Sequence, residues 1–507
     1  MSVDLSASNE TVLSVLLEKV EKRSKSVQDF WRFLMVCFNT PRPSTNYDDI
    51  EKPERSLPFR SVMRELCSGN NLLYREDSVG NMIITNSPGK DALVCFQGHM
   101  DVVVSKNESE SHDFDTQGVD VWVTKEGTVK PIKGITLGAD NGVAIAAGLA
   151  VLVNYPSLPM ELLVTTNEET NFAGACGLDA SLISARRILN LDSEVENAIC
   201  VGSAGGFEHH FRLPTTCSDP NTEADHYIHY SVKIKDLKGG HSGIDIAKGK
   251  TNAIFAMLRL LLTVRTECPF RLVKFSGGSS TNAIPRECSV TIACCDPHME
   301  ECLRANFAII KLDIALVEDS VCMQIRIDEE TMKSQILCRS STNMVLNFLS
   351  ALPNGVVRTV GNDVESSLNL GIAKLDEGSF VCKYLVRSTS TAWMHFYAKQ
   401  LSAIGDLAGA ASDEMLGIFG AWEPIYVGSD LVDTIKKAHK GTPEVYTVHA
   451  GLECSTIIEK FHNIGKQVEC ASIGPQINHA HSPDECLFID SANNFVELIE
   501  DVIVLLK

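Results

Sequence analysis

Acidic and imidazole side chains recur where short apolar runs end in this 507-residue chain. Gln97-Gly-His99-Met-Asp101 follows the run Ala92 to Phe96, and Asp140 lies in the turn Gly138-Ala-Asp-Asn-Gly142 before a helix-like run from Val143 to Val153. Glu168-Glu169 follow the β-branched stretch Glu161 to Asn167, Asp192 follows Ile188 to Leu191, and His481 stands in Ala480-His-Ser-Pro-Asp-Glu485. Singly, each has a plain structural reading: a core histidine, a solvated acidic pair, turn or helix caps at Asp140 and Asp192, a loop histidine. Jointly they are the donors of a metal site. A divalent ion takes about four nitrogen and oxygen ligands, and two ions about 3.5–4 Å apart need a carboxylate shared between them. His99, Asp140, Glu169, Asp192 and His481 supply such a set with one acid to bridge. Glu168, beside a ligand but pointing elsewhere, is then free to act as a base.

To bring these groups together, the apolar runs must be strands of one sheet, because ligand sites of α/β folds form at strand–loop junctions. Helical spacing of Val12, Val15, Leu16 and Val20, and then of Phe30, Phe33 and Leu34, predicts a helical lead-in that stops at Pro41-Arg-Pro43. A helix around Ser61 to Ser68 precedes a hairpin, Asn71 to Arg75 with Met82 to Thr85. Between Asp101 and Gly134 the chain is polar and turn-rich, which reads as a solvated excursion or as a loop bordering a cleft.

The chain is too long for one small core, so two domains are expected. A change of composition at the polar segment Pro214 to Asp225 marks a boundary, and the block that follows alternates strand-like and helix-like stretches in the manner of α+β layers. The fold class expected is therefore α/β, with a catalytic domain of residues 1–206 and 418–507 interrupted by an inserted α+β domain of residues 207–417. The length of the insert leaves room for two similar sandwich lobes.

The formal net charge of −20 excludes nucleic acid and anionic membrane as partners, since both would repel the chain. The start Met1-Ser-Val-Asp-Leu-Ser lacks the basic and apolar regions of a secretory signal, and the run Gly142 to Val153 is shorter than the roughly 20 residues a bilayer needs. A soluble, cytoplasmic location is the expectation. The 17 cysteines include no Cys-x-x-Cys pair and are expected mostly as buried thiols; Cys176 reads as a small apolar filler rather than a nucleophile. Gly202-Ser-Ala-Gly-Gly206 lacks dinucleotide-fingerprint spacing.

The sequence resembles the co-catalytic metallopeptidases of the aminoacylase and carboxypeptidase superfamily, in particular their aminoacylhistidine (Xaa-His, cytosolic nonspecific) dipeptidase branch. The matching segments are Gly98-His-Met-Asp-Val102, Thr136-Leu-Gly-Ala-Asp-Asn-Gly142, Asn167-Glu-Glu-Thr170, Ile188-Leu-Asn-Leu-Asp-Ser-Glu194, Lys238-Gly-Gly-His-Ser-Gly243, Asn282-Ala-Ile-Pro-Arg286, His449-Ala-Gly-Leu-Glu-Cys454 and His479-Ala-His-Ser-Pro-Asp-Glu485. They run in family order across almost the whole chain. The resemblance implies an α/β/α zinc-peptidase-like catalytic domain with an inserted lid. It also implies two divalent ions, zinc first and manganese or cobalt as alternatives.

Carried over residue by residue, it implies that His99 and Asp192 hold one ion, Glu169 and His481 the other, and that Asp140 bridges them. Asp101 would orient His99. Glu168 would take a proton from the attacking water and pass it to the leaving amine. From the insert, Asn282 and Arg387 would hold a substrate carboxylate and His241 would polarise the scissile carbonyl. The activity implied is dipeptide hydrolysis in a homodimer, with a related amidohydrolase (deacylase or carboxypeptidase) or a non-catalytic binding descendant as alternatives. The chain departs from the branch at Ser455, where a glycine is usual, and at Asn478-His479, which puts a competing imidazole two residues before His481.

Overall fold

The computed structural model describes residues 5–44, 57–218, 227–329, 335–425 and 427–507. Residues 1–4 and 219–225, on which part of the reading of the amino terminus and of the boundary segment rests, lie outside the described residues. The chain divides into two compact units. The first comprises Met1–Gly202, Pro424–Thr447 and Leu452–Lys507; the second comprises Ser203–Glu423 and Val448–Gly451.

The first unit is built on an eight-stranded sheet in the order Leu73–Glu76, Met82–Thr85, Met160–Thr165, Val94–His99, Arg187–Asn190, Glu469–Ser472, Ala198–Ser203, Glu444–Val448. Its centre is parallel: Gln97 pairs with Leu163 on one side and Asn190 on the other, and Cys470 pairs with Ile188. Strands covered on both faces read as unbroken apolar runs, and Val94-Cys-Phe and Leu162-Leu-Val do so, all of them buried. The helix Ala139–Asn154 is buried from Ala139 to Leu152. It packs so closely on the sheet that a Cβ at Gly98 would stand 2.4 Å from the Cβ of Ala144. The lead-in helices Ala7–Lys19 and Lys25–Asn39 start on the serine caps Ser6 and Ser24 and contribute Phe30, Trp31 and Leu34 to the same core.

The stretch Asp101 to Gly134 is not only a solvated excursion. It contains two strands, Val121–Val123 and Thr128–Pro131, which join Cys486–Phe488 and Ile477–Asn478 in a four-stranded sheet. Val121 and Val129 are wholly buried, so the alternation Val121-Trp-Val123 is a true strand pattern masked by charged neighbours. The loop carrying His481 runs between Ile477–Asn478 and Cys486–Phe488, which makes this small sheet its support.

The second unit holds a nine-stranded, wholly antiparallel sheet. Helices Ala253–Glu267, Met299–Ile314, Arg339–Ala351 and Thr391–Ala408 share one apolar cluster with it. It is one continuous sheet over one core rather than two separate lobes, because the long strands Asp363–Asp376 and Ser379–Ser388 pair along most of their length and bind its two halves together. Gly202-Ser-Ala-Gly-Gly206 is a strand junction. Most of the cysteines are buried; Cys176 is exposed instead. Among the described residues no helix is long and apolar enough to cross a membrane.

Candidate active site

The carboxyl ends of three of the four central parallel strands of the first unit set out the acidic cluster. His99 is the last residue of its strand, Glu168-Glu169 follow Met160–Thr165 through a left-handed Asn167, and Asp192 lies two residues beyond Arg187–Asn190. Asp140 enters from the start of the helix Ala139–Asn154, after Gly138 at φ 77°. A carboxylate here bridges two imidazoles: Asp140 Oδ1 lies 3.1 Å from His99 Nε2, and Asp140 Oδ2 lies 3.0 Å from His481 Nε2. Around His99 Nε2 stand Asp192 at 3.4 Å and Glu168 at 4.0 Å; beside His481 Nε2 stands Glu169 at 3.1 Å. His481 rather than His479 reaches the acids.

Each oxygen of Asp140 thus faces a different imidazole, one beside Asp192 and the other beside Glu169. Donor atoms of His99, Asp140 and Asp192 lie within 4.8 Å of one another, as do those of His99, Glu168 and Glu169, and those of Asp140, Glu194 and His481. So many acids do not ionise together in a buried space without cations. Burial and the Asp140 charge push Glu169 up to about 7, and burial with the same neighbour pushes Glu194 up to about 8. Hydrogen bonds to Asp140 and Glu169 raise His481 to about 11. Asp140 itself is held well below the usual carboxylate range, the two imidazoles outweighing its burial. Glu169 Oε1 is buried without a hydrogen-bond partner among the described residues. A cation pair would take the place of the imidazolium protons and satisfy that oxygen, so the donor set fits two divalent ions.

Asp101 acts differently from a simple imidazole support. His99 Nδ1 lies 3.0 Å from the Asp101 backbone carbonyl and 3.6 Å from its carboxylate, while the carboxylate accepts the amides of Glu168 at 2.9 Å and Glu169 at 3.2 Å and the Ser44 hydroxyl at 2.9 Å. It therefore sets the orientation of the acidic pair as well as that of the ring.

Sequence reasoning missed four supports. Glu485, wholly buried, accepts the amides of Leu137 (2.8 Å), Gly138 (2.9 Å) and Asp140 (3.2 Å). Arg42, also buried, donates to the carbonyls of Met100 (3.0 Å) and Gly138 from the other side. The Asp140 loop is gripped between them. Glu453, wholly buried, accepts Gln97 at 2.7 Å and Thr165 at 2.5 Å, and Gln97 in turn accepts Asn190 at 2.6 Å, tying the three strand ends together. Glu194 is the fourth, its donor atom within reach of Asp140 and His481. Glu485, Glu453 and Glu194 lie inside matched segments, but an acid whose partners are loop amides or the side chains of distant strand ends has no spacing of its own to betray it. Glu485→Ala leaves three buried amides unpaired, and metal affinity, read by chelator competition, is expected to fall about 10- to 100-fold.

The other three expected residues belong to the second unit. Arg387 on Ser379–Ser388 is buried, its Nε has no partner among the described residues, and burial alone brings it down to about 10. A Cβ at Gly243 would lie 3.2 Å from Arg387 Nε and 3.2 Å from His241 Cε1, so the two groups flank that glycine. His241 Nδ1 accepts the amides of Gly243 (3.2 Å) and Ile244 (3.1 Å), which leaves its proton on Nε2. Asn282 is exposed; its side-chain oxygen accepts Ser280 at 2.7 Å and its carbonyl accepts the Ser242 amide. His449, unanticipated, pairs through Nε2 with Ser367 Oγ at 2.7 Å. Burial, then Arg387 and His241, push it down to about 4 against the Val364 carbonyl.

Residues 232–302 match the family model described as a peptidase dimerisation domain. The cytosol non-specific dipeptidase of Escherichia coli (strain K12) is 31% identical over 451 residues, 84% of this chain and 89% of that protein. The crystal structure of aminoacylhistidine dipeptidase from Vibrio alginolyticus superposes with a TM-score of 0.80 at 30% identity, covering 96% of this chain and 97% of that one. The M20 family metallo-carboxypeptidase Sso-CP2 from Sulfolobus solfataricus shares the fold at a TM-score of 0.50 and 13% identity, over 95% and 99% of the two chains. With that identity to the Escherichia coli protein over most of both sequences, the chain belongs to the cytosol non-specific (aminoacylhistidine) dipeptidase family of M20 metallopeptidases.

Proposed function

We propose that this protein hydrolyses the peptide bond of dipeptides, with broad Xaa-His type specificity, at two divalent ions held by His99, Asp140, Glu169, Asp192 and His481. The observation that carries the reading is the pair of imidazoles on opposite oxygens of Asp140, at 3.1 and 3.0 Å. When bound, such ions supply Lewis-acid activation of water and of the scissile carbonyl. Glu168 is the general base: it takes the proton of the attacking water at its carboxylate and delivers it to the departing amine nitrogen. The amides of Glu168 and Glu169 are fixed by Asp101, so the base is aimed by the same residue that steadies His99.

Arg387 binds the free carboxylate of the substrate through the planar fork of its guanidinium, with Asn282 as a further polar contact. His241, its Nε2 proton fixed by the two amides on Nδ1, donates to the developing oxyanion. A clamp that needs a free carboxyl end close to the reacting bond favours very short peptides. Arg387→Met is expected to raise KM for dipeptides about 10- to 100-fold, and to leave the weak turnover of carboxyl-amidated dipeptides unchanged. Steady-state kinetics on both substrate types checks this.

Zinc is the first assignment for the metal, with manganese or cobalt also suited to imidazole and carboxylate donors. The match of residues 232–302 to a dimerisation domain supports a homodimer, and the name of the Escherichia coli relative supports a cytoplasmic location. The test is a panel of dipeptides, N-acyl amino acids and longer peptides, run on chelated protein and on protein resupplied with zinc, manganese or cobalt. Turnover of dipeptides that depends on added metal supports the proposal. Preferential turnover of N-acyl amino acids or longer peptides, or none at all, contradicts it.

A further inference from the structure

The end of the first unit's sheet opposite His99, Glu168 and Asp192 carries a second concave surface. A cavity of about 650 Å³ opens at the amino-terminal ends of the strands Val94–His99, Met160–Thr165 and Arg187–Asn190. That volume lies within the range of about 300–1,000 Å³ usual for small-molecule sites. Arg75, Lys90, Arg186, Arg187 and Lys466 all line it.

In a chain with 65 acidic and 45 basic residues, cations ordinarily find carboxylates. Here none of the five forms an ion pair among the described residues. Arg75 donates to the Leu182 carbonyl at 3.2 Å and Lys466 Nζ to the Ile183 carbonyl at 3.1 Å, contacts that hold the side chains in place without neutralising them. Two acids also line the cavity. Asp91 is exposed, and Glu161 is buried with its carboxylate accepting the amides of Ser184 and Ala185 and the Ser184 hydroxyl. Five positive charges thus face two negative ones, and one of the two is engaged by the loop beneath it. Gathering unpaired cations costs electrostatic free energy that a bound anion removes, and arginine forks bind two oxygens of one oxyanion at once.

We propose that this cavity binds a small multivalent oxyanion, a bisphosphate or a tricarboxylate. The site is separate from the hydrolytic centre, sitting at the other end of the same strands.

The test is calorimetric titration of the metal-loaded protein with a hexose bisphosphate, with tricarballylate and with the unphosphorylated hexose, at about 0.15 M salt, where loose surface attraction is largely screened. Wild type is expected to bind one oxyanion per chain and to ignore the neutral sugar. In the exposed pair Lys90→Gln/Arg186→Gln, affinity is expected to fall at least about tenfold while dipeptide turnover without anion stays at the wild-type rate. His99→Ala, which disturbs only the metal centre, should bind the oxyanion as wild type does. Whichever of the two oxyanions shows the loss identifies the ligand chemistry. Absence of binding by both, binding unchanged in Lys90→Gln/Arg186→Gln, or binding lost in His99→Ala overturns the proposal. The last outcome would place the anion on the metals and leave the hydrolytic reading intact.

Discussion

Glu168→Gln is expected to lower kcat for dipeptide hydrolysis roughly 100- to 10,000-fold, the range that general-base catalysis supplies, with both metal ions still bound. The glutamine keeps the shape of the side chain and loses only the ability to accept a proton. Glu168 Oε2 stands 4.0 Å from His99 Nε2, outside the close contacts that Asp140 makes, so the acid is near the centre without being needed to build it. Burial, more than the surrounding carboxylates Glu169, Asp192 and Glu453, pushes it well above the ordinary glutamate range, against the pull of His99. A carboxylate tuned upward in this way is a stronger base. Since Arg387, the proposed carboxylate clamp, is elsewhere in the chain, KM should change little. A fall in kcat accompanied by loss of metal would instead make Glu168 a ligand.

Asp140→Ala is expected to have the larger effect: loss of both ions and no measurable turnover. In the proposed centre its two oxygens, each beside a different imidazole, serve the half-sites of two ions, so one substitution removes a ligand from each. Supports one shell further out typically cost 10- to 100-fold in metal affinity, and the loss on removing the shared ligand should exceed that upper figure of about 100-fold for both ions. Removing His481 is a useful contrast, because it touches only the half-site shared with Glu169. Isothermal titration with zinc should show His481→Ala retaining one strong site and Asp140→Ala retaining none.

Much of this was legible in the sequence because parallel strands advertise themselves. Val94-Cys-Phe, Leu162-Leu-Val and Ile188-Leu are unbroken apolar runs, and the chain leaves the sheet two to four residues past the end of each, where His99, Glu168 and Asp192 lie. Some strands of the second unit were readable for the same kind of reason, Tyr230, Val232 and Ile234 being buried in alternation along Ile228–Lys235. What was not legible depended on long-range pairing. Val121–Val123 and Thr128–Pro131 are short and set among charges; they pair with each other, and Thr128–Pro131 is tied into a sheet by Cys486–Phe488, far along the chain.

The supports of the centre were hidden in the same way. Glu485 and Arg42 act through backbone groups of the Asp140 loop, and nothing in side-chain spacing announces a bond to a main-chain amide or carbonyl. Asp101 shows the limit of reading a role from a motif. His-x-Asp suggests a carboxylate against the imidazole, whereas the nearest atom to His99 Nδ1 is the Asp101 carbonyl, and the carboxylate spends its strongest bonds on the two glutamate amides. Arg387 had no local signal beyond its family position; its meaning comes from being a buried cation with no ion pair among the described residues.

The whole mechanism rests on a pair of cations sharing Asp140, and counting them is the most direct measurement. Elemental analysis of active wild-type protein, set against turnover as a chelator withdraws metal, is predicted to give two divalent ions per chain and activity that falls as they leave. Full dipeptide turnover by protein holding no divalent metal would contradict the account.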